Sequence, residues 1–213
     1  MKILSLNVGE VREVPWRGKM VKTGIFKKPV PGPLTLGATD VDGDQVVDRR
    51  YHGGVDKACY LYGANHSAHW KELYPALDWS YGMMGENITV DVCDEDEIRI
   101  GSIYKVGSAV VQAVQPRQPC FKLGVKFGTQ KILKQFIAYG HPGVYFRVLE
   151  EGSVNVGDVF EGKELAPDGV SIKSLFHALY EHPGDHLLQS IAATEVIPGD
   201  LREYIDGKYE ATR

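Results

Sequence analysis

Up to about residue 160 the apolar positions fall in short β-branched or aromatic runs interrupted by Gly, Pro, Asn and Asp, the pattern of a strand-rich barrel or sandwich. The runs predict strands over residues 2–8, 20–26, 57–62, 87–91, 103–106, 108–115, 144–149 and 154–160, with Gly101 and Gly107 punctuating a tight meander. Two stretches break the alternation. Residues 64–74 carry His66, His69 and Trp70 ahead of Pro75. Residues 129–139 place Ile132, Leu133, Phe136 and Ile137 on one face at helical spacing.

The character changes at residues 161–169, a polar stretch with Gly and Pro that reads as a linker. Beyond it Ile172, Leu175, Phe176, Leu179 and Tyr180 form one helical stripe, and Leu187, Leu188, Ile191 and Ala192 form another. A last helix is expected from Pro198 through Leu201, Tyr204 and Ile205. The expected fold is therefore mainly β: a barrel with a few peripheral helices over residues 1–163, then a three-helix extension over 168–213. Such short helices need a packing partner, so the extension is expected to pack on the barrel or on a second chain, as a lid or a homodimer contact.

Composition narrows the class. With 43% hydrophobic and 24% charged residues the chain is globular, and its net charge of -4 argues against general nucleic-acid affinity. In the tail the acids Glu181, Asp185, Glu195, Asp200, Glu203, Asp206 and Glu210 outnumber the basic residues, which disfavours DNA contact there too. Any anionic ligand must meet a local basic cluster. The three cysteines, Cys59, Cys93 and Cys120, are widely spaced and form no zinc-type pairs, which points to a reducing compartment. The apolar start breaks at Asn7 and Gly9, fitting a first strand better than a secretory signal or membrane span. A cytoplasmic protein with no membrane partner is the expectation.

The most informative segment is QPRQPCFKL, residues 115–123. Two prolines in four residues oppose both ladder and helix, so a stiff loop is expected to present Cys120. Arg117 and Lys122 flank it, and positive charge favours the thiolate, the form that ligates metals and attacks electrophiles. Cys59 and Cys93 read as buried packing residues. In residues 44–58, Gly53 and Gly54 allow close backbone approach, and Arg49, Arg50, His52 and Lys57 surround them with donors suited to phosphate. Asp48 and Asp56 either orient those cations or make the stretch a salt-bridged turn. Asn87 follows a glycine-flanked loop and offers an amide to a heterocycle edge, while Glu86 is placed to organise that loop. Lys27 and Lys28 by themselves look like a solvated strand end.

The histidines are less pointed. His66 and His69, three apart, lack a carboxylate at zincin spacing and read as part of a surface helix. His177, His182 and His186 suit caps and turns. A Cys120 hydrolase with His52 or His141 as base is a further reading, weakened by the expected absence of a helix at the cysteine.

Taken together, TGIFKKPV, GDQVVDRRYHGGVDKACYLY, GENITV, GSIYKVGSAVVQAVQPRQPC with FKL, and GVYFRVLEEGSVNVGD resemble, in order, the MOSC domain family and its stand-alone YiiM-like bacterial branch, which carries a three-helix extension. The resemblance implies a β-barrel binding the molybdenum cofactor, molybdopterin with Mo, with Cys120 as the protein's metal ligand and a catalytic residue. It places the basic positions toward the pterin's phosphate on Lys27, Arg49, Arg50, His52, Lys57 and Arg117, with Gly53 and Asn87 also at the cofactor. It implies reduction of small N-hydroxylated compounds such as hydroxylamino purines, with electrons from a separate flavin or iron-sulfur reductase. His52 and Glu86 are the candidate proton donors. A non-catalytic carrier of persulfide or cofactor is the alternative.

Overall fold

The structure is a computed structural model and describes residues 1–47, 53–181 and 184–210. In chain order the elements are β1 (Ile3–Gly9), β2 (Arg12–Trp16), β3 (Lys19–Thr23), β4 (Lys27–Val30), β5 (Leu34–Leu36), β6 (Cys59–Gly63), α1 (Ser67–Leu73), β7 (Ile88–Val90), β8 (Ile103–Val106), β9 (Ala109–Pro116), α2 (Phe121–Lys126), α3 (Lys131–Tyr139), β10 (Val144–Glu150), β11 (Gly152–Val154), β12 (Glu161–Glu164), α4 (Ile172–Tyr180), α5 (Asp185–Ala193) and α6 (Gly199–Glu210).

Eight strands form one sheet in the order β12-β8-β9-β10-β6-β7-β1-β4. Every neighbouring pair is antiparallel except β6 and β7, which the α1 crossover makes parallel. The sheet curls until the segment before β12 meets the start of β1, where Lys2 bridges Val159 and the Ile3 amide donates to the Asp158 carbonyl at 2.8 Å. The barrel expected from sequence is thus a strongly curled sheet that the named strands do not close. Two small ribbons, β2-β3 and β11-β5, complete the β structure.

Alternation divides the sheet into two faces. Cys59, Leu61, Val144 and Phe146 point into the concave core with Ile3, Leu6, Ile88 and Val111. Tyr60, Tyr62 and Tyr145 point the other way, into a second cluster with Trp70 of α1, Leu123 of α2, and Ile132 and Phe136 of α3. The C-terminal helices join the first cluster through Ile172, Leu175, Leu179, Ile191, Leu201 and Ile205. The amphipathic stripes of α3 and α4 are the ones the sequence displays, and Ser171 caps α4 by accepting from the Ser174 amide at 3.0 Å.

Three expectations are corrected. The stretch read as a linker contains the edge strand β12, whose four residues are all exposed; a strand that pairs with β8 through its backbone and buries no side chain leaves no apolar alternation to read. Residues 155–160 do not continue β11, because a turn at Asn155–Asp158 intervenes, with the Asp158 amide donating to the Asn155 carbonyl. His66 is not on a surface helix: it is buried in the turn before α1, and the His69 ring stacks on Tyr139 at 3.8 Å.

Candidate functional site

β9 ends on Pro116, which pairs with Val144 of β10 at the strand's last position. Arg117–Pro119 then carry the chain over the tyrosine face of the sheet to Cys120, which is half-buried and stands immediately before α2. The second proline therefore does not exclude a helix; α2 starts directly after the cysteine, where missing amide donors cost least. That corrects the expectation of a loop alone around Cys120.

Tyr60, Tyr145 and Gln115 lie directly opposite one another on adjacent strands, so their side chains share a face. Together with Cys120 they floor or flank a cavity of about 80 Å³, whose lining includes Thr23, Gly24, Lys27, Asp44, Gly53, Lys57, Tyr60, Asn87, Arg117, Cys120, Lys122 and Tyr145. Gln115 does not line it, but its Nε2 donates to the Asp56 carbonyl at 3.0 Å and holds the 55–57 turn beside β9. Gly24 is required by close approach: a Cβ there would stand 2.1 Å from the Gln45 carbonyl oxygen. The two glycine-containing segments on this side of the cavity are thereby packed backbone to backbone.

The cavity is electropositive. Among the described residues, four cations line it, Lys27, Lys57, Arg117 and Lys122, against one carboxylate, Asp44. Asp44 is already committed: it pairs with Lys27, accepts from Asn87 Nδ2 at 3.0 Å and accepts from the Gly9 amide at 2.8 Å. Burial pushes the Lys27 ammonium below its ordinary pKa, although Asp44 opposes the shift. Lys27 is thus a largely covered, paired residue, which corrects its reading as a solvated strand end. Arg117 and Lys122 are both under 8% exposed. The Arg117 guanidinium donates to the Met84 carbonyl and sits 4.9 Å from the centre of the Tyr60 ring. Burial opposes its charge, but the partial negative character of Tyr60, Tyr145 and Cys120 around it outweighs this and raises its pKa. Tyr145 is pushed up by burial and keeps its phenolic proton at neutral pH.

The structure brings Lys27, Gly53, Lys57, Asn87, Arg117 and Cys120 to this one cavity. Arg49, Arg50 and His52 lie outside the described residues, as do Asp48 and His182. Glu86 does not line the cavity. Its buried Oε1 accepts from the Gly82 amide at 2.7 Å and from the Thr89 hydroxyl at 2.9 Å, so it organises the 82–87 loop instead. Asn87 is likewise tied to the scaffold, its Oδ1 accepting from the Tyr60 amide at 3.2 Å. Asp56 pairs with Arg147, so it does not restrain the cavity cations. The sequence reading missed Asp44, Tyr60, Tyr145 and Lys122's burial; the tyrosines sit at alternate strand positions where they look like core, and Asp44 acts across 17 residues on Lys27. Cys59 and Cys93 are buried, as expected of packing residues, and burial raises the Cys59 thiol to about 12.

The MOSC domain family model matches residues 48–161, more than half the chain and including the cysteine segment. The chain belongs to the MOSC domain family. Among its relatives, YflK of Bacillus subtilis is 39% identical over 171 residues, covering 80% of this chain and 77% of that one. A protein named "Reductase" from Gibberella moniliformis is 33% identical over 73% of this chain, which spans only 28% of that protein's length. The crystal structure of YiiM from Geobacillus stearothermophilus superposes with a TM-score of 0.81 at 32% identity, covering 97% of this chain and 98% of that one. The fold is thus YiiM-like throughout, C-terminal helices included. No helix among the described residues is long and apolar enough to cross a membrane.

Proposed function

We propose that this MOSC protein is a molybdenum-cofactor-dependent reductase of N-hydroxylated compounds, with Cys120 as the protein ligand to the metal. The observation that supports it best is the half-buried sulfur of Cys120 in the wall of a cavity lined by four cations. That donor set fits the cofactor: one soft sulfur lines the cavity, the pterin would supply further soft ligands, and the surrounding charge suits a phosphate-bearing anion. Among the described residues, no group of three or more ligand-type side chains includes Cys120, as a structural zinc site would need.

Lys57, Arg117 and Lys122 are the side chains that hold the anion, and Lys27 adds to the field from behind its pairing with Asp44. Gly53, with φ of 74°, allows the backbone to come close to the ligand. When bound, the molybdenum centre supplies two-electron chemistry at an N–O bond. Tyr145, protonated and facing the cavity, offers its hydroxyl as a hydrogen-bond donor to a substrate oxygen. Electrons come from a separate flavin or iron-sulfur reductase.

The test is to produce the protein in a host that makes the molybdenum cofactor and in one that cannot, and to assay reduction of a hydroxylamino purine by each with a chemical electron donor. Activity confined to the first preparation is the expected result. Equal activity in both would remove the cofactor from the reaction. A persulfide carrier, the alternative, would show labile sulfur and no reduction in either.

A further inference from the structure

A second group of ligand-type side chains lies outside the Cys120 cavity and shares no residue with its lining. His66 comes from the turn between β6 and α1, Glu95 from the turn between β7 and β8, and His141 from the loop between α3 and β10. One atom from each, His66 Nε2, a Glu95 carboxylate oxygen and a His141 nitrogen, falls within 4.8 Å of the other two. Glu95 Oε2 is 2.9 Å from His141 Nδ1 and 3.5 Å from His66 Nε2. The two imidazoles stack with centroids 4.4 Å apart.

Charge makes this arrangement unusual. Glu95 is fully buried, and among the described residues no lysine or arginine stands within ion-pair distance of its carboxylate. Two imidazoles, the Cys93 thiol and the Gly143 amide, which donates to Oε1 at 3.0 Å, meet it. A buried carboxylate normally has a compensating charge, and a divalent ion between these three ligands would supply one.

The surroundings match those of a metal site. The second nitrogen of His66, Nδ1, is 3.1 Å from the Tyr139 hydroxyl, a partner that fixes the ring's orientation, while Oε1 of the carboxylate is fixed by the Gly143 amide. The Cys93 carbonyl oxygen, 3.2 Å from His66 Nε2, stands beside the ligand atoms as a further oxygen donor. The His141 side chain is 28% exposed and gives the ion a route in from solvent. Two nitrogens and one carboxylate oxygen are the donor set of borderline first-row ions, zinc foremost, rather than of calcium or magnesium.

We infer that His66, Glu95 and His141 bind a divalent first-row transition ion, with zinc the best match, in a site separate from Cys120. The ion pins together three connections far apart in sequence. One of them, the 140–143 loop, also accepts from the Tyr60 hydroxyl through the Pro142 carbonyl at 2.8 Å, so the site braces the tyrosine on which Arg117 rests.

The experiment uses the full chain, stripped of metal with a chelator and titrated with Zn²⁺ against a chromophoric competitor, with Co²⁺ absorption reporting the coordination. Wild type is expected to bind one Zn²⁺ per chain at this site. Cys120→Ser should bind that ion equally well. His141→Ala, which alters a partly exposed residue, should lose about a hundredfold or more in affinity, as should Glu95→Gln. If Glu95→Gln fails to fold, the His141→Ala comparison decides alone. The inference is overturned if wild type binds no Zn²⁺, if His141→Ala binds as wild type does, or if binding vanishes with Cys120→Ser.

Discussion

The Arg117 guanidinium lies 4.9 Å from the centre of the Tyr60 ring, inside the protein, between the sheet and the loop that carries Cys120. A buried cation on an aromatic face, donating to the Met84 carbonyl, is held in orientation by β6 and the 82–87 loop at once. Lysine cannot reproduce this, because its ammonium is a strongly hydrated point charge without a planar face to stack. Arg117→Lys is therefore expected to lower thermal stability by about 1–3 kcal/mol and to weaken retention of an anionic cofactor. Denaturation and metal content of the purified variant, measured together, check this; an unchanged protein on both counts would contradict it.

Lys126 gives a pH signature. Its ammonium donates to the Ile25 carbonyl at 3.0 Å and the Gly82 carbonyl at 2.6 Å, yet burial brings its pKa from 10.5 down to about 8. The folded state thus releases this proton before the unfolded state does. Between about pH 8 and 10.5 the unfolded chain binds more protons here, so this residue makes stability rise with pH across that window. Urea unfolding of wild type and Lys126→Met at pH 7.5 and pH 9.5 tests it. The wild type is expected to gain roughly 1–2 kcal/mol more than the variant over that interval; parallel pH dependences would show that Lys126 is not buried as described.

Gly143 is where the cavity floor and the His141 loop meet. Its φ is 68°, and a Cβ would stand 2.4 Å from the Leu61 carbonyl oxygen and 2.9 Å from the rings of both Tyr60 and Tyr62. Backbone cannot yield as a flexible side-chain tip would. Gly143→Ala is expected to cost about 2–4 kcal/mol. Because the rings in the way are Tyr60 and Tyr62, the loss should appear as altered near-ultraviolet circular dichroism as well as a lower melting temperature, and a variant with neither change would refute the packing described.

Legibility in the sequence followed burial pattern. The helices α3 and α4 show a clean stripe because one face meets the core and the other meets water. β12 shows nothing, since an exposed edge strand is specified by its neighbour's backbone. The site divides in the same way. Cys120, Arg117 and Lys57 are marked by local motif, and the cavity gathers them. Asp44 and Tyr60 matter through partners that the chain brings back from a distance: Asp44 to Lys27 and Asn87, and Tyr60 to Arg117 and Pro142. His66 is the sharpest case, because the carboxylate absent at local spacing is supplied by Glu95 from the next turn of the sheet.

The proposed function requires the Cys120 sulfur to hold the metal. Wild type and Cys120→Ser, produced side by side in a cofactor-making host, should differ in molybdenum measured by mass spectrometry. Near-stoichiometric metal is expected in the first and less than about a tenth of that in the second, with the fold unchanged because the substitution removes one soft ligand and little volume. Equal molybdenum in the two proteins would contradict the assignment.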